Sequence, residues 1–148
     1  KSASTSCWQI RATEALSKIK SEVPICPASP QTIKIIHSDS RIQKRNESTT
    51  VLQIEKFLIP GDSPSQKEKI WVKNLPMKNE VEILILGHHG SQTSSSDVLL
   101  SKLPLLKMAI ASSRYKKYGH PHKKVIDRLK ARHLNVIRTE DWGTIMIL

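Results

Sequence analysis

The sequence predicts an α/β protein in which a sheet is layered with helices. Three observations carry that expectation. Two strand-sized apolar runs, residues 81–86 and 107–112, are nearly continuous, the pattern of strands covered on both faces. Two segments carry helix-start chemistry, Ser63-Pro64-Ser65-Gln66 and Ser94 with Asp97. The resulting strand–helix–strand–helix order is that of layered α/β folds.

The elements follow in order. Residues 1–11 are rich in small polar side chains and are expected to fray. Thr13 caps a short helix to about residue 20, with Ala15, Leu16 and Ile19 on one face. Pro24, Pro27 and Pro30 enforce an extended stretch before a strand at 32–36. A polar loop over 38–48 leads to strands at 50–54 and 56–60, a hairpin turning at Glu55 and Lys56. Ser63 then caps a helix to about residue 74 that buries Ile70 and Trp71. Ser94 opens a second helix to residue 102, behind the strand at 81–86. After the strand at 107–112, a loop over 113–120 precedes a helix from 121 to 133. Strands at 135–139 and 144–148 close the chain around Asp141-Trp142-Gly143.

The 148 residues suit one ordinary domain, and at 38% hydrophobic and 25% charged the chain has the make-up of a folded one. No run approaches the ~18 apolar residues of a membrane helix, and Lys1 opens no signal-peptide pattern, so the piece reads as soluble. Cys7 and Cys26 fit one disulfide or two free thiols, without a metal spacing. The formal charge of +11 points to a polyanionic partner, nucleic acid or an acidic membrane surface. Eight basic residues and one acid fall between positions 114 and 132. That cluster is either a binding rim or a solvated face. Aromatic side chains, at 4%, are too sparse to suggest a stacking platform for single strands.

Ligands of open α/β sheets gather at the carboxyl ends of strands. Three polar clusters fall there: Gly61-Asp62, His88-His89, and Gly119-His120-Pro121-His122. Carboxylate and imidazole suit zinc, manganese or a related divalent ion. Gly-Asp also makes an ordinary turn, and His120 and His122 also serve a Pro-stiffened loop. Adjacent imidazoles at a strand end meet no packing need and read as functional. His37-Ser38-Asp39 lacks the further ligands of a metal motif.

These residues carry a resemblance. The run from Ile85 to Ser96 is similar to the HHGS-x-T-S-S-S signature of the ComEC family of competence DNA-internalisation proteins. Asn46-Glu47-Ser48 resembles that family's N-x-S element, and Phe57-Leu58-Ile59-Pro60-Gly61-Asp62 its F-L-x-x-G-D strand. Tyr118-Gly119-His120-Pro121-His122 resembles its Y-G-H-P-H loop, and the segment 138–143 its closing R-T-x-x-x-G turn. The resemblance implies the carboxyl-terminal portion of a metallo-β-lactamase-like αββα sandwich, one partial domain over 1–148. The family's D-x-G-Q-G-D strand and H-x-D-x-D-H loop, which supply most metal ligands, have no counterpart here.

By position, the resemblance assigns a metal bridge to Asp62 and a metal ligand to His88, with His89 and His120 as catalytic groups. Asn46, Ser48 and Ser91 would support that shell or hold phosphate, and Arg114, Lys116 and Lys117 would bind DNA. Two cations would lower the pKa of a shared water and neutralise the phosphodiester. The implied whole is a metal-dependent nuclease, with zinc or manganese, acting on single-stranded incoming DNA beside a membrane channel domain in a bacterial cell membrane. The piece alone is expected to be inactive and to self-associate through exposed apolar surface. Two other readings stay open: a phosphodiester hydrolase with a non-DNA substrate, and a non-catalytic basic DNA-binding module.

Overall fold

The computed structural model describes residues 33–38, 49–75 and 79–145. They build one six-stranded mixed sheet whose spatial order follows the chain. Strands β1 (Ile33–Ser38), β2 (Thr50–Ile54) and β3 (Phe57–Ile59) are antiparallel neighbours. The expected hairpin turns at Glu55, whose φ of 48° gives the tight reversal. From β3 onward the sheet is parallel, through β4 (Ile83–Ile85), β5 (Met108–Ala111) and β6 (Asn135–Arg138).

Parallel neighbours need crossovers, and helices supply them. Helix α1 (Ser65–Trp71), extended by a 3₁₀ turn over Val72–Asn74, joins β3 to β4. Helix α2 (Asp97–Ser101) joins β4 to β5. The short α3 (Tyr115–Tyr118) and α4 (Lys123–Lys130) join β5 to β6, and α5 (Thr139–Trp142) follows.

The sheet has two unlike faces. Gln53, Leu58, Leu84 and Ala109 stand opposite one another across β2 to β5, and all four are buried. Trp71, Leu99, Leu100, Val125 and Leu129 of the helices pack with Leu58, Leu84 and Ala109 into one core. Alternation puts Ile54, Phe57, Ile83 and Met108 in a row on the other face. None of these four belongs to the helix-packed core. Their row continues to the edge strand, where Ile33 pairs with Ile54 and is 61% exposed.

Several local expectations are corrected. Helix α1 starts after Pro64, not Ser63, because the Ser63 hydroxyl accepts the Trp71 indole N–H at 2.9 Å. Trp71 is buried as expected, but Ile70 is 57% exposed and Glu68 takes the inward position. Ser96 rather than Ser94 caps α2, accepting from the Leu99 N–H at 3.3 Å. Ser94 instead donates to the Ser63 carbonyl at 2.9 Å. The loop after β5 contains α3, and helix α4 begins two residues later than Pro121, with His122 as its cap. Residue 139, expected to end the strand, instead opens α5, which runs into the turn expected around Asp141-Trp142-Gly143.

Arg128 does not turn to solvent. Its side chain is 19% exposed and ion-pairs with Asp97 at 3.2 Å. Expectations for residues 1–32 and 39–48, including the first helix, the frayed start, and Cys7 with Cys26, lie outside the described residues. So does the end of the final strand: positions 144 and 145 are not extended, and 146–148 are not described.

Candidate functional site

The site grows from the carboxyl ends of β4 and β5. After Leu86 the chain makes a tight turn in which His88 (φ 49°) and His89 (φ 57°) are both left-handed. Two consecutive non-glycine residues there are costly and persist only when neighbours fix them. Gly87 N–H donates to the Ser95 hydroxyl at 3.2 Å, and His88 N–H to the Gly61 carbonyl at 2.9 Å.

Gly90, at φ 86°, then passes against Pro121, where an added Cβ would lie 2.6 Å from the proline's Cβ. His122 N–H donates to the Gly90 carbonyl at 2.8 Å, pinning the second loop onto the first. The Ser113 hydroxyl donates to the His120 carbonyl at 3.0 Å. These contacts bring the His88 and His120 rings to 6.2 Å between centroids, tilted by 51°.

The rings border a cavity of about 750 Å³ that also takes in His89, Arg114, Lys117 and Tyr118. Thr139 and Glu140 of α5 close one side. His89 Nδ1 lies 2.7 Å from the Ser112 carbonyl, which can only accept, so the proton sits on Nδ1 and leaves Nε2 as an acceptor in the neutral ring. Burial, aided by the charges of His88, His89 and His122, holds His120 below the usual imidazole range. Its Nδ1 is buried and finds no hydrogen-bond partner among the described residues. Glu140 is the one carboxylate among the lining residues, and it accepts the Tyr115 N–H at 2.5 Å.

Of the residues assigned from sequence, the structure brings together His88, His89, His120, Arg114 and Lys117. It leaves out others. Asp62 is exposed and does not line the cavity, although its neighbour Gly61 touches the histidine turn. Lys116 is exposed on α3 beside the lining residues without joining them. Ser91 is buried, bonds Thr93 Oγ1 at 3.0 Å and does not line the cavity. Asn46 and Ser48 lie outside the described residues. Among the described residues, no three His, Cys, Asp or Glu side chains meet as a metal group.

Beneath the site lies a network that sequence reading missed. Glu68 accepts the N–H groups of Ser95 (2.6 Å) and Ser96 (2.8 Å), and Arg128 donates to the carbonyls of Ser94 (3.2 Å) and Ser95 (2.7 Å). Burial raises the Glu68 pKa, while the Ser95 and Ser96 hydrogen bonds and Arg128 pull it back down. The serines are thus a splice between α1, α2 and α4. The available signal was a charged residue three positions from Trp71 on a buried stripe.

Comparison with known proteins agrees with the motif-level resemblance. The chain is 30% identical over 105 residues to ComE operon protein 3 of Bacillus subtilis, a match covering 68% of this chain. It is 36% identical over 90 residues to Recombination protein 2 of Haemophilus influenzae, covering 61% of the chain. It is also 36% identical over 90 residues to Competence protein ComA of Neisseria gonorrhoeae, covering 60%. The matches span 11–13% of these relatives' lengths. No family model and no solved structure matches the chain. Among the described residues, no helix is long and apolar enough to cross a membrane.

Proposed function

We propose that the chain is the carboxyl-terminal portion of a metallo-β-lactamase-like domain in a competence protein, and that the complete domain cuts incoming DNA during uptake beside a membrane channel. The observation that carries this reading is the cavity where His88, His89, His120, Arg114 and Lys117 converge. Its chemistry matches a phosphodiester. The Arg114 guanidinium and the Lys117 ammonium neutralise phosphate oxygens, Arg114 as a two-pronged donor. His120 lines the cavity, where an imidazole can exchange a proton with a leaving or attacking oxygen. His89 is held in one tautomer by Ser112 and presents Nε2 as an acceptor. The unlike sheet faces support a half-sandwich: the row through Ile54, Phe57 and Met108 is apolar and left out of the helix-packed core.

A zinc or manganese ion fits the described residues only in part. His88 borders the cavity, Asp62 does not, and among the described residues no three donors are grouped closely enough to hold a metal ion. These residues therefore do not close a metal site by themselves. That same observation favours the second reading, a non-catalytic DNA-binding module.

Two experiments separate the readings. The 148-residue chain, given labelled single-stranded DNA with Zn²⁺ or Mn²⁺, is expected to bind without cleaving. Cleavage that disappears in Asp62→Ala would overturn the partial-site reading, and absence of binding would overturn the DNA reading. In the full-length parent, cleavage lost in His120→Ala with binding retained supports the nuclease. Binding without any cleavage by the unaltered parent supports the module.

A further inference from the structure

The aromatic residues are few, yet their placement is not random. Both tyrosines and one of the three tryptophans stand out in solvent on the two short helices that border the cavity. Tyr115 is 52% exposed, Tyr118 59% and Trp142 73%. Single exposed apolar side chains are ordinary. Three on two four-residue helices tied by one hydrogen bond, Tyr115 N–H to Glu140, are not. Tyr118 itself lines the cavity with Arg114 and Lys117. Lys117 Nζ sits 5.0 Å from the Tyr118 ring centroid, a cation over an aromatic face.

We propose that Tyr118 is a stacking platform for an unpaired nucleobase at the mouth of the cavity, which selects a single strand over a duplex. The proposal rests on the phosphodiester reading of the cavity and deepens it by naming the form of the substrate. Without nucleic acid, Lys117 parks its charge on the tyrosine ring. When a strand enters, a phosphate takes the ammonium, whose flexible four-carbon stem reaches from ring to backbone, and the base takes the freed ring face. Only a base with an open π-face makes that exchange; bases inside a duplex have both faces covered. Every base offers such a face, so the platform is indifferent to sequence.

The test compares three probes of equal charge by fluorescence anisotropy: a base-bearing single strand, the same strand with abasic sites, and a closed dumbbell duplex. The unaltered chain should bind the base-bearing strand about 5- to 150-fold more tightly than the abasic one. Tyr118→Ala should remove that preference and Tyr118→Phe should keep it, with the salt dependence of both variants unchanged because no phosphate contact is lost. Equal affinity for base-bearing and abasic strands, or a preference that survives Tyr118→Ala, overturns the stacking proposal and leaves the phosphate-binding cavity standing. Failure to bind any of the three overturns the cavity reading itself.

Discussion

Pro121 packs on Gly90 so closely that its Cα would lie 2.9 Å from a methyl group added to the glycine. The contact couples the histidine turn to the His120 loop across 31 residues of chain. Gly90→Ala meets two penalties at once, a left-handed backbone and a collision with the main chain of its neighbour. The expected loss is about 2 kcal/mol or more, read as a fall in urea midpoint at constant m-value. DNA affinity should fall with it, because His120 can no longer sit beside His88. Unchanged stability would show that the loops adjust independently.

Glu68 should matter more to stability than any surface charge. Glu68→Ala leaves the buried N–H groups of Ser95 and Ser96 without their acceptor, with an expected cost of about 1–3 kcal/mol for each group in chemical denaturation. Glu68→Gln keeps one accepting oxygen and turns an NH₂ toward a backbone donor, so it should rescue only part of the loss.

Glu82 provides the pH dependence. Hydrogen bonds from Lys107 (2.8 Å) and Lys56 (3.0 Å) hold its carboxyl below the ordinary 4.5. The folded state therefore gives up that proton more readily than the unfolded chain. The contribution is complete above pH 4.5 and disappears as pH falls through the lowered folded value. The melting-temperature gap between the unaltered chain and Glu82→Gln should be open at neutral pH and close in acid. These three residues precede β4, β5 and β3, at the end of the sheet away from the cavity, so DNA affinity should not change.

Charge position, not total charge, should govern DNA binding. Replacing Arg114 and Lys117 together should flatten the salt slope on single strands by about 1.4, whereas Lys116→Ala should leave it nearly unchanged. Arg128→Ala should act on stability instead, since its guanidinium holds the Ser94 and Ser95 carbonyls. Equal losses from all four would show that bulk charge is responsible.

The edge of the sheet predicts association between copies. Ile33 and Ile35 are 61% and 67% exposed on β1, the end strand of the sheet among the described residues. Sedimentation of the chain should show self-association, and Ile33→Lys with Ile35→Lys should shift it toward monomer. A monomer before substitution would show that the edge is already guarded.

The strands and crossovers were legible because the parallel sheet demands continuous apolar runs, and 81–86 and 107–112 have them. Helix starts were misread where a side chain had a stronger distant use. Ser63 looked like a cap, but the Trp71 indole claimed its oxygen; Ser94 looked like a cap, but the Ser63 carbonyl claimed its proton. Arg128 belongs to neither a binding rim nor a solvated face, because its flank of the helix meets two carbonyls and a carboxylate that only the folded chain assembles. The histidines could be singled out because two imidazoles at a strand end have no packing use, and both line the cavity. The gathering of Tyr115, Tyr118 and Trp142 was not legible because composition counts aromatic rings without saying where they stand.

The left-handed backbone at His88 and His89 has an evolutionary corollary. Each position costs roughly 1–2 kcal/mol that glycine would not, so His88→Gly and His89→Gly are simple routes to a hardier protein. A library of variants screened only for survival of heating should accumulate glycine or asparagine at these two positions. Survivors would be robust and blunt, the trade-off of a molecule that keeps its imidazoles in an unfavourable conformation.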